Sequence, residues 1–253
     1  MRSTTKRSLT PHRGFLVILK YDPPASRGIF FLGSTMSNRA SSQKNCYIIL
    51  NKPYGVLCQF SAESGRKTLR DLGPFPSDVY PVGRLDADSE GLLLLTNDNE
   101  LKHRLLDPGY GHKRTYLAQV EQIPGREAVD KLRSGVVIEG RKTRDTEVRL
   151  LQKDPGLPAR ETPIRFRKSV PTAWLEITLT EGRNRQVRKM TASVGHPTLR
   201  LVRTKFGALT LGNLGPGEHR HLSVSEIQAL LLMTASLKLS PSRSRETRLD
   251  SKV

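Results

Sequence analysis

The segment Gly83-Arg84-Leu85-Asp86-Ala87-Asp88-Ser89-Glu90-Gly91-Leu92-Leu93-Leu94-Leu95-Thr96 sets three carboxylates and an arginine directly ahead of a run of four leucines. Apolar residues in an unbroken row, with no polar alternation, describe a central strand covered on both faces. The polar stretch feeding into that strand then lies at the rim of a sheet, where ligand sites gather. An acid in such a loop has a plainer use as well, bonding its own backbone or capping a helix.

A second segment bears on the choice. Glu181-Gly182-Arg183-Asn184-Arg185-Gln186-Val187-Arg188-Lys189-Met190 follows a stretch, Trp174 to Leu179, in which Leu175, Ile177 and Leu179 alternate with Glu176 and Thr178 as a half-buried strand requires. A helix is expected from about Asn184. Val187, Met190 and Val194 share one of its faces, while Arg185, Arg188 and Lys189 cluster on another. A basic helix face is commonly just solvated. Here four cations fall between positions 183 and 189, in a chain of formal net charge +18 and pI near 10.3, which favours a polyanionic partner.

Working outward, Tyr47 to Leu50 reads as a strand ended by Asn51-Lys52-Pro53, and Glu100 to Leu106 as a short helix closed by Asp107-Pro108-Gly109. Thr115 to Val120 reads as a strand, Arg126 to Ser134 as a helix and Thr198 to Phe206 as a strand. Ser223 with Glu226 forms a capping box for a last helix through Leu232. Strands and helices intermix without strict alternation, so the expected class is α+β around a mixed, mostly antiparallel sheet with flanking helices. The Pro- and Gly-rich stretch Asp154 to Pro163 is expected to be a connection within that domain.

With 253 residues, of which 36% are hydrophobic, the chain can bury a large core. No apolar run approaches the roughly 20 residues of a membrane span, so no membrane partner is expected. Cys46 and Cys58 are read as free thiols of a reducing compartment, and the six histidines show no metal-ligand spacing. His219 and His221, flanking Arg220, read as alternating strand residues.

Charge concentrates at the ends. Residues 1–44 hold eight Lys/Arg against the single acid Asp22, net +7, and residues 236–253 hold five against two, net +3. Both are expected to be basic, disordered extensions flanking a domain at 45–235. Met36 could be the true start, with an organellar transit peptide as the alternative.

The motifs Gly83-Arg84-Leu85-Asp86 with Ser89-Glu90-Gly91-Leu92, Arg114-Thr115-Tyr116 at the head of a strand, and Gly182-Arg183-Asn184-Arg185-Gln186-Val187-Arg188 resemble, in order, those of the RsuA/RluB/RluE family of RNA pseudouridine synthases. The similarity runs from about Tyr47 to Leu232. Asn51-Lys52-Pro53-Tyr54-Gly55-Val56-Leu57, Gly65-Arg66-Lys67-Thr68-Leu69 and Pro163-Ile164-Arg165-Phe166-Arg167-Lys168-Ser169 are similar to its large-subunit subgroup E, and the S4-type module of many relatives is missing, as in that subgroup. The resemblance implies the pseudouridine synthase catalytic fold and a cofactor-free isomerisation that breaks the uridine N1–C1′ bond and rejoins the base through C5. It implies large-subunit ribosomal RNA as partner, a monomer, and the cytoplasm.

Residue by residue, the resemblance makes Asp86 the catalytic acid, either nucleophile or base, with Asp88 and Glu90 shaping the loop. Arg188 becomes the partner of Asp86. Tyr116 becomes the tyrosine that stacks on the uracil and takes the C5 proton late in the reaction, with a core strand tyrosine as the plain alternative. Arg84 would hold the extruded base or fill its gap, and Leu201 would line the base pocket. Arg183, Arg185, Lys189, Arg200, Arg203 and Lys205 would then meet phosphates. The competing class is a noncatalytic RNA-binding or ribosome-associated protein. It needs cations and aromatics but no partly buried acid, which is why the conjunction of Asp86, Tyr116 and Arg188 favours an enzyme.

Overall fold

Leu92 to Leu95 fall in a strand, β3 (Glu90–Thr96), of which every residue is buried. The computed structural model describes residues 44–164 and 169–235, so the two expected basic extensions, apart from Lys44, lie outside the described residues. Eleven strands are described: β1 (Tyr47–Lys52), β2 (Tyr80–Pro81), β3, β4 (Arg114–Glu121), β5 (Val137–Ile138), β6 (Arg141–Lys142), β7 (Glu147–Leu150), β8 (Thr172–Leu179), β9 (Thr198–Phe206), β10 (Leu209–Thr210) and β11 (His219–His221). The helices are α1 (Asn99–Leu106), α2 (Arg126–Arg133), α3 (Gln186–Ser193) and α4 (Val224–Ala235). No described helix is long and apolar enough to cross a membrane.

The main sheet runs β11-β1-β3-β9-β4-β8-β7, with β2 added to β3 and β10 to β9, while β5 and β6 form a separate hairpin. Among the described pairs only β3 with β9 is parallel, which makes the sheet mixed and mostly antiparallel, as the sequence pattern predicts. Period-two alternation explains how β3 serves two cores. Leu92 and Leu94 pack with Ile49, Val202, Phe206, Leu101 of α1 and Leu230 of α4. Leu93 and Leu95 face the other way, against Ile48, Leu50, Val56 and Leu69. A third cluster joins Ala118, Val120, Leu175 and Ile177 of the sheet to Val129 and Leu132 of α2 and to Val187 and Met190 of α3.

Boundaries follow local chemistry. The expected capping box forms, Ser223 N–H donating to Glu226 at 2.9 Å and Glu226 N–H to Ser223 Oγ at 3.2 Å. The helix predicted from Asn184 starts two residues later, because Arg185 adopts a left-handed φ of 51° and closes a turn ahead of it. Asp154 to Pro163 does connect β7 to β8, and Trp174 Nε1–H donates to Asp154 at 3.1 Å to pin its start.

The parallel junction is tight. Gly91 lies opposite Arg203 at a φ of +102°, and a Cβ there would press on the Arg203 carbonyl oxygen and sit 2.7 Å from its nitrogen. Gly91→Ala is therefore expected to cost about 2 kcal/mol or more. That lowers the melting temperature by about 4–8 °C in a domain of this size, which a thermal melt would read.

Candidate active site

The loop ahead of β3 is held from below by a cation. Lys52 continues the side-chain parity of Ile48 and Leu50 toward the core and is fully buried. Its ammonium donates to the carbonyls of Pro53 at 3.0 Å, Val56 at 2.8 Å and Ala87 at 3.5 Å. Burial pushes its pKa down to about 8. Gly55 N–H also donates to the Ala87 carbonyl, at 2.7 Å, and Ser89 N–H closes the turn on the Asp86 carbonyl at 3.0 Å. Anchoring Ala87 by its carbonyl leaves the carboxylates on either side of it, Asp86 and Asp88, to project from the turn.

Two arginines of the α3 segment meet those acids. Arg185 donates to both Asp88 oxygens, at 3.0 and 2.8 Å, and lies 3.7 Å from Asp86 Oδ2. Arg188 donates to the Asp88 carbonyl at 2.6 Å and the Thr198 carbonyl at 3.2 Å, with its Nε 3.4 Å from Asp88 Oδ2. The expected pairing is thus corrected. Arg188, just inside the first turns of α3, reaches the Asp88 backbone and carboxylate, whereas Arg185, swung out by its left-handed backbone, is the arginine within ion-pair distance of Asp86. Burial raises the Asp88 pKa, but the Arg185 hydrogen bonds and the Arg188 charge outweigh it and leave the group below its ordinary range. Burial likewise lowers the Arg188 pKa, against the pull of Asp88. The side chain of Asp86 stays 38% exposed, open to a substrate.

Other residues take different stations. Tyr116, on β4, packs against the cluster beneath α3 and also against the cluster that holds Leu85, so its ring sits at the seam beside the loop. Leu201, opposite Ala118, is 5% exposed under Val187 and Met190. Arg84 is exposed. Arg183 donates to the carbonyls of Arg141 and Ile138 and Lys189 pairs with Glu139 at 2.6 Å, so both brace the β5–β6 hairpin rather than standing free for phosphate. Arg200 and Arg203 are corrections to the expected phosphate contacts. Arg200 is 6% exposed in a bidentate pair with Glu90, at 3.0 and 2.8 Å, and Arg203 is 3% exposed with its Nε–H on the Leu92 carbonyl at 2.8 Å. Three residues apart on β9, they point to opposite faces of the sheet, and both are buried there. Lys205 remains exposed.

Beside the acids opens a cleft of about 410 Å³, lined by Tyr54, Asp88, Arg160, Arg188, Pro197 and Leu199 among others. Arg160, from the Pro-rich connection, lays its guanidinium 4.1 Å from the centre of the Tyr54 ring. Sequence reasoning missed Arg160, which no periodicity marks, and Lys52, which the parity of β1 could have flagged. Among the described residues no group of His, Cys, Asp or Glu is arranged to hold a metal ion. Cys46 and Cys58 are free, Cys58 buried.

Comparison with known proteins bears on the same segments. Residues 46–193 match the family model described as RNA pseudouridylate synthase. The chain is 54% identical over 175 residues to ribosomal large subunit pseudouridine synthase E of Xanthomonas campestris pv. campestris, covering 68% of this chain and 93% of that one. It is 36% identical over 193 residues to ribosomal large subunit pseudouridine synthase B of Bacillus subtilis, covering 76% and 74%. A crystal structure of a pseudouridylate synthase superposes with a TM-score of 0.62 at 28% identity, over 74% of each chain.

Proposed function

The chain belongs to the RNA pseudouridylate synthase family, and from that premise we propose that it isomerises a uridine of large-subunit ribosomal RNA, with Asp86 as the catalytic carboxylate and residues 45–235 as the catalytic domain. The enzyme is an RNA pseudouridine synthase, an intramolecular isomerase. The ribosomal substrate is supported by the names of its relatives, which carry it at 54% and 36% identity. We place the reaction in the cytoplasm, where Cys46 and Cys58 stay free thiols.

The observation that carries the residue assignment is the pair of carboxylates on one turn, of which Asp88 is saturated by Arg185 and Arg188 while Asp86 is not. An acid with two arginines on it is occupied in holding α3 to the loop. The acid left open to a substrate is Asp86, with the Arg185 guanidinium 3.7 Å away. Attack on the nucleotide and removal of a ribose proton both call for that carboxylate. Tyr116, at the seam beside the loop, is positioned to stack on the uracil once it leaves its helix, an extrusion costing a few kcal/mol. Arg84, exposed two residues ahead of Asp86, is free to occupy the vacated position, and Leu201 forms the floor beneath α3.

Chemical mapping of pseudouridine in ribosomal RNA from cells with and without the protein tests the reading. One large-subunit site is expected to disappear with the gene and return with the wild-type protein. An unchanged map would leave a noncatalytic RNA-binding protein as the better account.

A further inference from the structure

The cleft beside the proposed catalytic turn has its own lining. Asp88, Arg185 and Arg188 stand on its wall, but Asp86, Tyr116 and Leu201 do not line it. Its most unusual feature is the Tyr54–Arg160 stack. The Arg160 side chain is only 8% exposed, its Nε–H donates to the Thr162 carbonyl at 2.7 Å, and its Nη1 lies 3.9 Å from the buried Glu90 carboxylate. Glu90 is itself gripped by Arg200, which also donates to the Pro158 carbonyl at 2.9 Å. The connection between β7 and β8 is thereby tied at two points to the head of β3, and the guanidinium is fixed in place rather than waving from the surface.

Fixed, flat and cationic surfaces suit one kind of guest. A guanidinium laid on an aromatic ring extends the platform on which a nucleobase can stack, and unstacked RNA bases are held in this way. Pro197 and Leu199 give the cleft an apolar side, and Arg160, Arg185 and Arg188 against the single acid Asp88 leave its wall net positive. Its volume of about 410 Å³ falls within the range of small-ligand sites. Because the cleft shares Asp88 with the turn that carries Asp86, a guest in it would lie close to a nucleotide held at Asp86. We infer that the Tyr54–Arg160 cleft receives a second unstacked base of the substrate RNA, a near neighbour of the target uridine, so that the enzyme recognises its site through two extruded nucleotides. This inference rests on the reading of the chain as an RNA-modifying enzyme.

The test uses affinity rather than turnover. The probe is the large-subunit ribosomal RNA fragment that the full-length protein retains most tightly at low salt, with abasic residues walked singly through its loop. One abasic position other than the target is expected to weaken binding about tenfold, the size of a lost stacking contact. Tyr54→Leu and Arg160→Lys should each weaken binding to intact RNA similarly, and neither should cause further loss on the RNA abasic at that position. Tyr54→Leu leaves the Glu90 network untouched, and Arg160→Lys keeps the charge beside Glu90 while removing the plane, so a folding defect does not mimic the pattern. Losses that simply multiply at every abasic position, or variants that bind intact RNA as wild type does, would overturn the inference. Pseudouridine formation is scored on the same fragment. Its absence with the coupling intact would strike the isomerase reading and leave the second base site standing.

Discussion

Asp86→Asn is expected to lower single-turnover pseudouridine formation by at least about 10³-fold, a loss of the size seen when a group acting in the chemical step is removed, while RNA affinity stays within about threefold. The amide keeps the shape of the side chain but has neither the basicity nor the nucleophilicity of the carboxylate, whichever of the two the reaction uses. The turn takes its Ser89 N–H bond on the Asp86 backbone carbonyl, and the Asp86 side chain is 38% exposed, so the turn, held through Ala87 and Asp88, should survive the change. Asp88→Asn is the informative contrast. It loosens the Arg185 and Arg188 contacts that dock α3, so its defect should come with a lowered melting temperature, which Asp86→Asn should not show. Turnover by Asp86→Asn at near the wild-type rate would remove Asp86 from the chemistry.

The second large effect falls on stability. Arg200→Met is expected to cost about 3–5 kcal/mol, because it leaves the Glu90 carboxylate buried at the head of β3 without its bidentate partner. In a domain of this size that corresponds to a melting temperature lower by about 6–20 °C. The double variant Glu90→Gln with Arg200→Met should recover much of the loss, since it removes the stranded charge rather than only its counterion. A single variant as stable as wild type would mean that Arg160, 3.9 Å from Glu90 Oε1, suffices alone.

How far the sequence could be read depended on whether a feature was periodic or local. β9 runs from Thr198 to Phe206 as its pattern predicts, and the Ser223–Glu226 box forms at the start of α4 because both partners lie within one turn. The turn carrying Asp86 is legible for the same reason. The partner of each arginine was not. Asp86 and Asp88 are two residues apart on one turn, and only the left-handed backbone at Arg185 decides which cation reaches which acid. The Glu90–Arg200 pair joins residues 110 apart, and Arg200 and Arg203 look like surface cations until their register on β9 is known. Likewise Arg160 lies in an aperiodic connection, where position carries no sign of what it touches.

The site is assembled from two distant stretches of chain. Asp88 and Arg185 are separated by 97 residues, and the Arg188 bond to the Asp88 carbonyl spans 100. During synthesis at about 5–20 residues per second, the acidic turn leaves the ribosome roughly 5–20 s before the arginines that complete it. Through that interval the nascent chain carries the acidic turn without the helix that frames it. The site is therefore incomplete until α3 has emerged and β9 has closed against β3.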